Sequence, residues 1–280
     1  MDTKTIHTLY KAIPLRHSFR NFHPAPLPED VLTDLKAFGI AMSLPFEGAE
    51  RFCFFTAECG KKLYNNGINP PTNLAIFSQT DLVSLSKAGF AGELMILRGV
   101  SAGLTTCWFG HYRLAELGRY LEGIASPERL KESTLGYGYG RGVDVGERVV
   151  ACIPLGYPQT ERKRLIDRLA ERVGSGRKPL EALLEKGTKP EDIPDNIREV
   201  FRLGSLAPSA ANSQMWRFGF REGRITVAKP VGYRHLKWEH PDIDVGCCAA
   251  HIWLGLREKG ITSQVDVVRK EDRAFWEFTF

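Results

Sequence analysis

The 280-residue chain repeats itself, and that repeat limits what it can fold into. Pro28 lines up with Pro194, Leu35 with Phe201, and Ala41 with Ala207. At the same spacing Arg51, Phe52 and Phe54 meet Arg217, Phe218 and Phe220. Further along, at a slightly shorter spacing, Gly89 meets Gly246, Leu97 meets Leu254, Gly103 meets Gly260 and Thr105 meets Thr262. Each half reads as a helix, a strand, a loop, an apolar helix closed by glycine, and a strand. Shared element order with shared glycine spacing is how a structural repeat shows itself in sequence.

Periodicity and breakers place the elements. Ile6, Leu9, Tyr10 and Ile13 fall at helical spacing and predict a helix over residues 4–12, ended by Pro14. A second helix, 28–42, opens on Glu29 and Asp30, acidic residues suited to a helix N-terminus. Strands are expected at 51–56 and 73–77, with a turn-rich loop at 65–72. Residues 89–103 read as a buried helix with Phe90, Leu94, Leu97 and Ser101 on one face and Gly103 as its C-terminal cap. Residues 135–142 are a glycine- and tyrosine-rich loop without the strand–turn–helix setting of a dinucleotide fingerprint. A strand at 148–155, a charged helix at 161–173, a helix at 195–206, a strand at 216–220 and a helix at 245–259 complete the reading. Asp244 is the expected N-cap of the last helix.

Composition excludes several classes. Hydrophobic residues, at 43%, can build a substantial core, and a charged fraction of 25% is ordinary for a globular protein. The net charge of +5 is mild and its basic residues are dispersed, so no nucleic-acid stripe forms. Cys53, Cys59, Cys107, Cys152, Cys247 and Cys248 include no Cys-x-x-Cys pair and no zinc spacing. A reduced, cytoplasmic setting is the simplest expectation, and the first residues lack a signal-peptide hydrophobic region. The longest apolar stretch, 89–110, is interrupted by Glu93 and Arg98, which reads as a core helix rather than a membrane span.

Two stretches carry chemistry. In Arg16-His17-Ser18-Phe19-Arg20, an extended backbone would put Arg16, Ser18 and Arg20 on one face. Two cations and a hydroxyl can grip a phosphate and a polar ring edge; a solvated basic loop is the commoner fate of such a run. In Ala207-Pro208-Ser209-Ala210-Ala211-Asn212-Ser213-Gln214-Met215-Trp216, a helix end and a proline lead through small polar residues into a strand. Such a loop lets backbone approach a flat ligand, although Pro, Ser and Asn also make ordinary turns.

Together these stretches resemble the nitroreductase family of flavin enzymes. The late loop is similar to that family's Pro-Ser-x-x-Asn-x-Gln-Pro-Trp motif, with Met215 in place of the second proline. The early segment resembles its Arg-x-Ser-x-Arg/Lys signature, with His17 in the variable position. Leu104-Thr105-Thr106-Cys107-Trp108-Phe109-Gly110 is similar to its Gly-Leu-Gly-Thr-x-Trp-x-Gly segment, with Thr105 replacing a glycine. Ser175-Gly176-Arg177-Lys178 is similar to a basic segment that returns to the cofactor phosphate; a linker with solvated charges fits it about as well.

The resemblance implies an α+β fold with a central mixed or antiparallel sheet flanked by helices, and FMN as cofactor. It implies that Arg16, Ser18 and Arg177 hold phosphate and ribityl groups, with Arg20 near the pyrimidine edge. Backbone at Cys107, Trp108, Phe109 and Gly110 would face the ring, though Trp108 is equally a core candidate. Pro208, Ser209 and Asn212 would close the site, and no acid–base residue is implied. NAD(P)H would donate hydride, and a nitroaromatic or quinone would accept it. The alternatives are a flavin carrier or sensor without turnover, or a degenerate relative that binds no flavin.

Most members of the family that the chain resembles are two-fold dimers with flavin between subunits. Here the first half has the basic segment, but its loop, Leu44-Pro45-Phe46-Glu47-Gly48, lacks the Ser and Asn. The second half has the loop, but Lys186-Gly187-Thr188-Lys189 stands where the basic segment would be. The expectation is a monomeric pseudo-dimer of the duplicated, Thermotoga-type branch, with halves 1–165 and 191–280 joined by 166–190. One flavin site would be complete and one erased. His235, His240, Asp242 and Asp244 could ligate a metal, but a surface turn is the commoner outcome. His251 and Trp253 read as packed side chains, and no spacing makes Cys107 a nucleophile.

Overall fold

The computed structural model describes residues 1–48, 51–57, 63–64, 70–110, 112–122, 147–159, 176–236 and 238–280. The expected loop at 135–142, the helix at 161–173, most of the loop at 65–72, and Cys59 lie outside the described residues. The first half contains α1 (Thr3–Ala12), α2 (Glu29–Ala41), β1 (Arg51–Thr56), β2 (Thr72–Ser78), α3 (Leu82–Ser101), β3 (Thr105–Thr106), α4 (Leu114–Tyr120) and β4 (Arg148–Gly156). The second contains α5 (Asp195–Ser205), β5 (Arg217–Arg221), β6 (Arg224–Ala228), α6 (Pro241–Glu258), β7 (Gln264–Lys270) and β8 (Arg273–Thr279).

The α+β class holds, and the described strands form two antiparallel sheets. Their orders are β1-β2-β4-β3 and β5-β6-β8-β7, the same order in each half. The repeat read from scattered identities is therefore a repeat of topology.

Its axis runs through the crossing of α3 and α6. A Cβ on Gly89 would lie 2.0 Å from the Ile243 carbonyl oxygen, and one on Gly246 would lie 1.8 Å from that of Ser86. Ser86 and Ile243 are repeat partners at the spacing that joins Gly89 to Gly246. Each helix thus presents the same patch to the other, as at a two-fold interface. Both glycines are there because two backbones touch. The helix ends match as well. Gly103 and Gly260 take φ of 80° and 72°, a conformation that disfavours any Cβ. Leu104 N–H then reaches back to Gly99 O, and Ile261 N–H to Leu256 O, each at 3.0 Å. These are two Schellman caps.

Two helix starts differ from expectation. Helix α3 begins at Leu82, a full two turns before residue 89, because the Asp81 carboxylate accepts the N–H groups of Val83 and Ser84. Helix α6 begins at Pro241 with His240 as N-cap, so Asp244 is not the cap; it sits in the first turn. Proline suits a first helical position, where its missing N–H costs nothing.

One core spans both halves. Leu9 of α1, Phe90 and Leu94 of α3, Phe201 of α5, Phe218 of β5 and Ile252 of α6 pack in a single cluster. Trp253 is buried there and His251 is fully buried as well, as expected of packed side chains. Among the described residues no helix is long and apolar enough to cross a membrane.

Candidate functional site

The early basic segment is extended. Ser18 bridges Thr106 in parallel, and Phe19 N–H donates to Thr106 O at 2.9 Å. Backbone pairing to the rim of the first sheet thus aims Ser18 and Arg20 along the stretch 107–110. From the other half, the late loop enters at Pro208. Ala211, Asn212 and Gln214 hold φ of 49°, 54° and 45°. Such conformations cost non-glycine residues energy, and they persist only where surroundings enforce them.

The enforcing groups are specific. Asn212 Nδ2 and Gln214 Nε2 donate to Gly176 O at 2.8 and 3.0 Å. Lys178 N–H donates to Gln214 Oε1, and Lys178 Nζ to Ser213 O. Arg177 donates to the carbonyls of Ser205, Leu206 and Ala207, the C-terminal end of α5. Residues 176–178 thus form a strap across the loop. Asp244 Oδ2 accepts the Ala210 N–H at 2.9 Å, fastening the loop to α6.

Between segment and loop lies a cleft of about 500 Å³. Ser18 and Arg20 supply a hydroxyl and a cation on one side. Cys107, Trp108, Phe109 and Gly110 form a wall, and Pro208, Ser209, Ala210 and Ala211 face it. His235, Trp238, Ile243, Asp244 and Cys247 close the end. Trp238 lies on Gly110 so closely that a Cβ there would fall 1.7 Å from the indole ring. Burial pushes the Asp244 carboxyl up to about 8, against the pull of the Ala210 N–H and Trp238.

A buried polar cluster backs the wall. Glu93 Oε2 accepts the Trp108 indole N–H at 2.9 Å. Its Oε1 is 3.0 Å from His251 Nε2 and 3.6 Å from Arg16 Nε. His251 Nδ1 is 3.1 Å from Leu203 O. A carbonyl only accepts, so Nδ1 carries a proton and Nε2 shares another with Glu93. All three side chains are almost fully buried. Arg177 is lowered to about 10 by its burial and by the neighbouring charge of Arg16.

The repeat-related position is filled. Lys87, Phe90 and Phe46 take the places of Asp244, Cys247 and Asn212. The Phe46 ring lies 5.1 Å from Phe90 and 5.4 Å from Trp276, with the Lys87 ammonium 5.2 Å above it. A larger, open depression of about 1000 Å³ lies by Lys186, Arg221 and Glu277, apart from every motif residue.

A family model described as "Putative TM nitroreductase" matches residues 8–120 and 141–256, well over half of the chain. The chain belongs to the nitroreductase family. By family it is an oxidoreductase. The crystal structure of a "putative nitroreductase" from Thermotoga maritima is 21% identical with a TM-score of 0.60, covering 97% of this chain and 93% of that one. That likeness is one of fold. A "putative nitroreductase" from Desulfovibrio desulfuricans in complex with FMN is 16% identical, with a TM-score of 0.42 over 65% of this chain and 98% of that one. A nitroreductase from Bacteroides fragilis with bound FMN is 16% identical, with a TM-score of 0.39 over 65% and 96%. No curated protein matches the chain.

Of the residues suggested by the nitroreductase motifs, Ser18, Arg20, Cys107, Trp108, Phe109, Gly110, Pro208 and Ser209 line one cleft. Four do not. Arg16 is turned onto Glu93. His17 is exposed, with its Nδ1 3.1 Å from Leu15 O. Asn212 and Arg177 spend their donors on the strap and the helix end. Their residue types suit ligand contact, but the carbonyl of Gly176 and those at the end of α5 claim them first. His235 and Asp244, set aside as a surface turn, lie in the cleft; Asp242 is buried and accepts the Ala274 N–H at 2.7 Å. Trp238 carried no sequence signal. Glu93 did, as an acidic residue inside the most apolar stretch.

Proposed function

We propose that the cleft binds one FMN per chain and that the protein is an NAD(P)H-dependent oxidoreductase. The carrying observation is that Ser18 and Arg20 from one half and Pro208–Ala211 from the other line the same space. The donor set fits a flat anionic cofactor: a cation and a hydroxyl at one side, a largely apolar wall, and a volume typical of ligand sites. When bound, FMN would supply hydride chemistry, from a reduced nicotinamide to an electron-poor acceptor such as a nitroaromatic or quinone.

The chain's own groups bind and orient. Ser18 would donate to the phosphate or ribityl oxygens, with Arg16 and Arg177 contributing positive potential from behind rather than direct bonds. Arg20 would offset negative charge that grows on the ring edge. Trp108, held by Glu93, would fix the wall's position, and Trp238 would exclude water from its end. The filled repeat-related position supports one flavin site per chain; with it we propose a pseudo-dimer of halves 1–165 and 191–280, joined by 166–190, working as a monomer in the cytoplasm.

The test is spectroscopic. The purified protein should show flavin absorbance or acquire it with added FMN. NADH or NADPH should bleach it, and a quinone should restore it. A protein that takes up no FMN removes the proposal; one that binds FMN but is not bleached is a carrier.

A further inference from the structure

Asp244 is the one acidic side chain among the described residues lining the cleft. It is 7% exposed, in the first turn of α6, among Cys107, Trp108, Trp238, Ile243 and Cys247. Its Oδ2 accepts the Ala210 N–H at 2.9 Å, and the Trp238 side chain also hydrogen-bonds the carboxyl. A carboxylate in such surroundings is costly, whereas the neutral acid keeps the bond from Ala210 and gains an O–H to donate.

We propose that Asp244 is a specificity-determining residue whose carboxyl O–H donates a hydrogen bond to an uncharged oxygen of the molecule entering the cleft, a quinone carbonyl or a nitro group. This rests on the flavin-site reading for its choice of acceptor class. The geometry selects neutral oxygen acceptors and disfavours anionic ones, because ionised Asp244 would repel a carboxylate. Burial supports the neutral form by pushing the group up to about 8, and nearby Asp242 acts in the same direction.

Other charged or titratable groups line the same cleft. They are Arg20 on the N-terminal segment, Cys107 on the wall, His235 before α6, and Cys247 on α6 itself. Asp242 is paired with Lys229 at 3.8 Å.

The experiment is calorimetric titration of 1,4-naphthoquinone, and separately of nitrobenzene, into FMN-equilibrated protein without reductant. It is run at about pH 7 and about pH 10, on either side of the carboxyl's ionisation. Affinity of the parent should fall about tenfold or more between the two. D244N, which can still accept from Ala210 and donate outward, should bind with little pH dependence. C107S and H235Q should keep the parent's pH dependence, and benzoate should bind weakly at both pH values. A parent affinity that does not change with pH overturns the proposal, as does a D244N profile that follows the parent's. Flavin content is read from the same samples. Absent FMN defeats the flavin reading, while the flavin-free cleft still reports whether Asp244 governs quinone binding.

Discussion

Gly246→Ala tests the crossing on which the duplicated core turns. The added methyl would sit 1.8 Å from the Ser86 carbonyl oxygen and 2.8 Å from its carbon. Ordinary contact begins at 3.4 Å, so α3 and α6 must part by more than about 1 Å in a close-packed interior. The obstacle is backbone, with no rotamer to yield. Overpacking costs about 1–3 kcal/mol and more where nothing can move, so about 4 kcal/mol is reasonable. Alanine returns about 1 kcal/mol of helix propensity. The net expectation is about 3 kcal/mol of lost stability, read from urea unfolding midpoints. Gly89→Ala should cost about the same, because its contact of 2.0 Å is the repeat-related one. The double variant should cost clearly less than the sum, since helices already parted for one methyl admit the second. A Gly246→Ala protein as stable as its parent would refute the reasoning, and so would strict additivity.

Three further outcomes follow from the site. Arg20→Ala should weaken FMN binding by about 1.5–3 kcal/mol, the range for a bond to a charged group, with unfolding midpoints little changed; undiminished affinity would remove Arg20 from the site. Arg16→Ala should instead lower stability by about 3 kcal/mol, because it takes the guanidinium away from buried Glu93 and leaves that carboxylate to His251 and the Trp108 N–H alone; unfolding by urea measures it, and an unchanged midpoint contradicts the ion cluster. Asp244→Asn should flatten the stability–pH profile. In the parent, the folded state holds the proton up to about pH 8 while the unfolded chain releases it near 3.8, so stability falls as pH rises through that window. The variant's advantage should therefore grow between about pH 5 and pH 8, and parallel profiles would contradict the raised carboxyl.

The repeat was legible because glycine has few substitutes where backbones touch or turn left-handed. Gly89 with Gly246, and Gly103 with Gly260, kept their spacing for those two reasons. Strand β1 was legible to the residue, since its composition changes abruptly at both ends. The starts of α3 and α6 are marked in sequence by Asp81 and Pro241, but the apolar run begins only after them. What no spacing could supply was the choice of partner. Asn212 and Arg177 carry donors that suit a phosphate or a stranded carbonyl equally, and only the fold brings Gly176 and the end of α5 within reach. Glu93, Arg16 and His251 come from three separate elements and meet only where α3 crosses α6. Asp244 enters the cleft on the first turn of α6, which begins earlier than its apolar pattern does, and Trp238 joins it from just before that helix.

Equilibrium titration with FMN, followed by fluorescence quenching against a known protein concentration, counts the sites directly. The account predicts saturation at one flavin for each polypeptide, with a sedimentation coefficient that stays monomeric throughout. Two flavins per chain, none, or one for every two chains would contradict it.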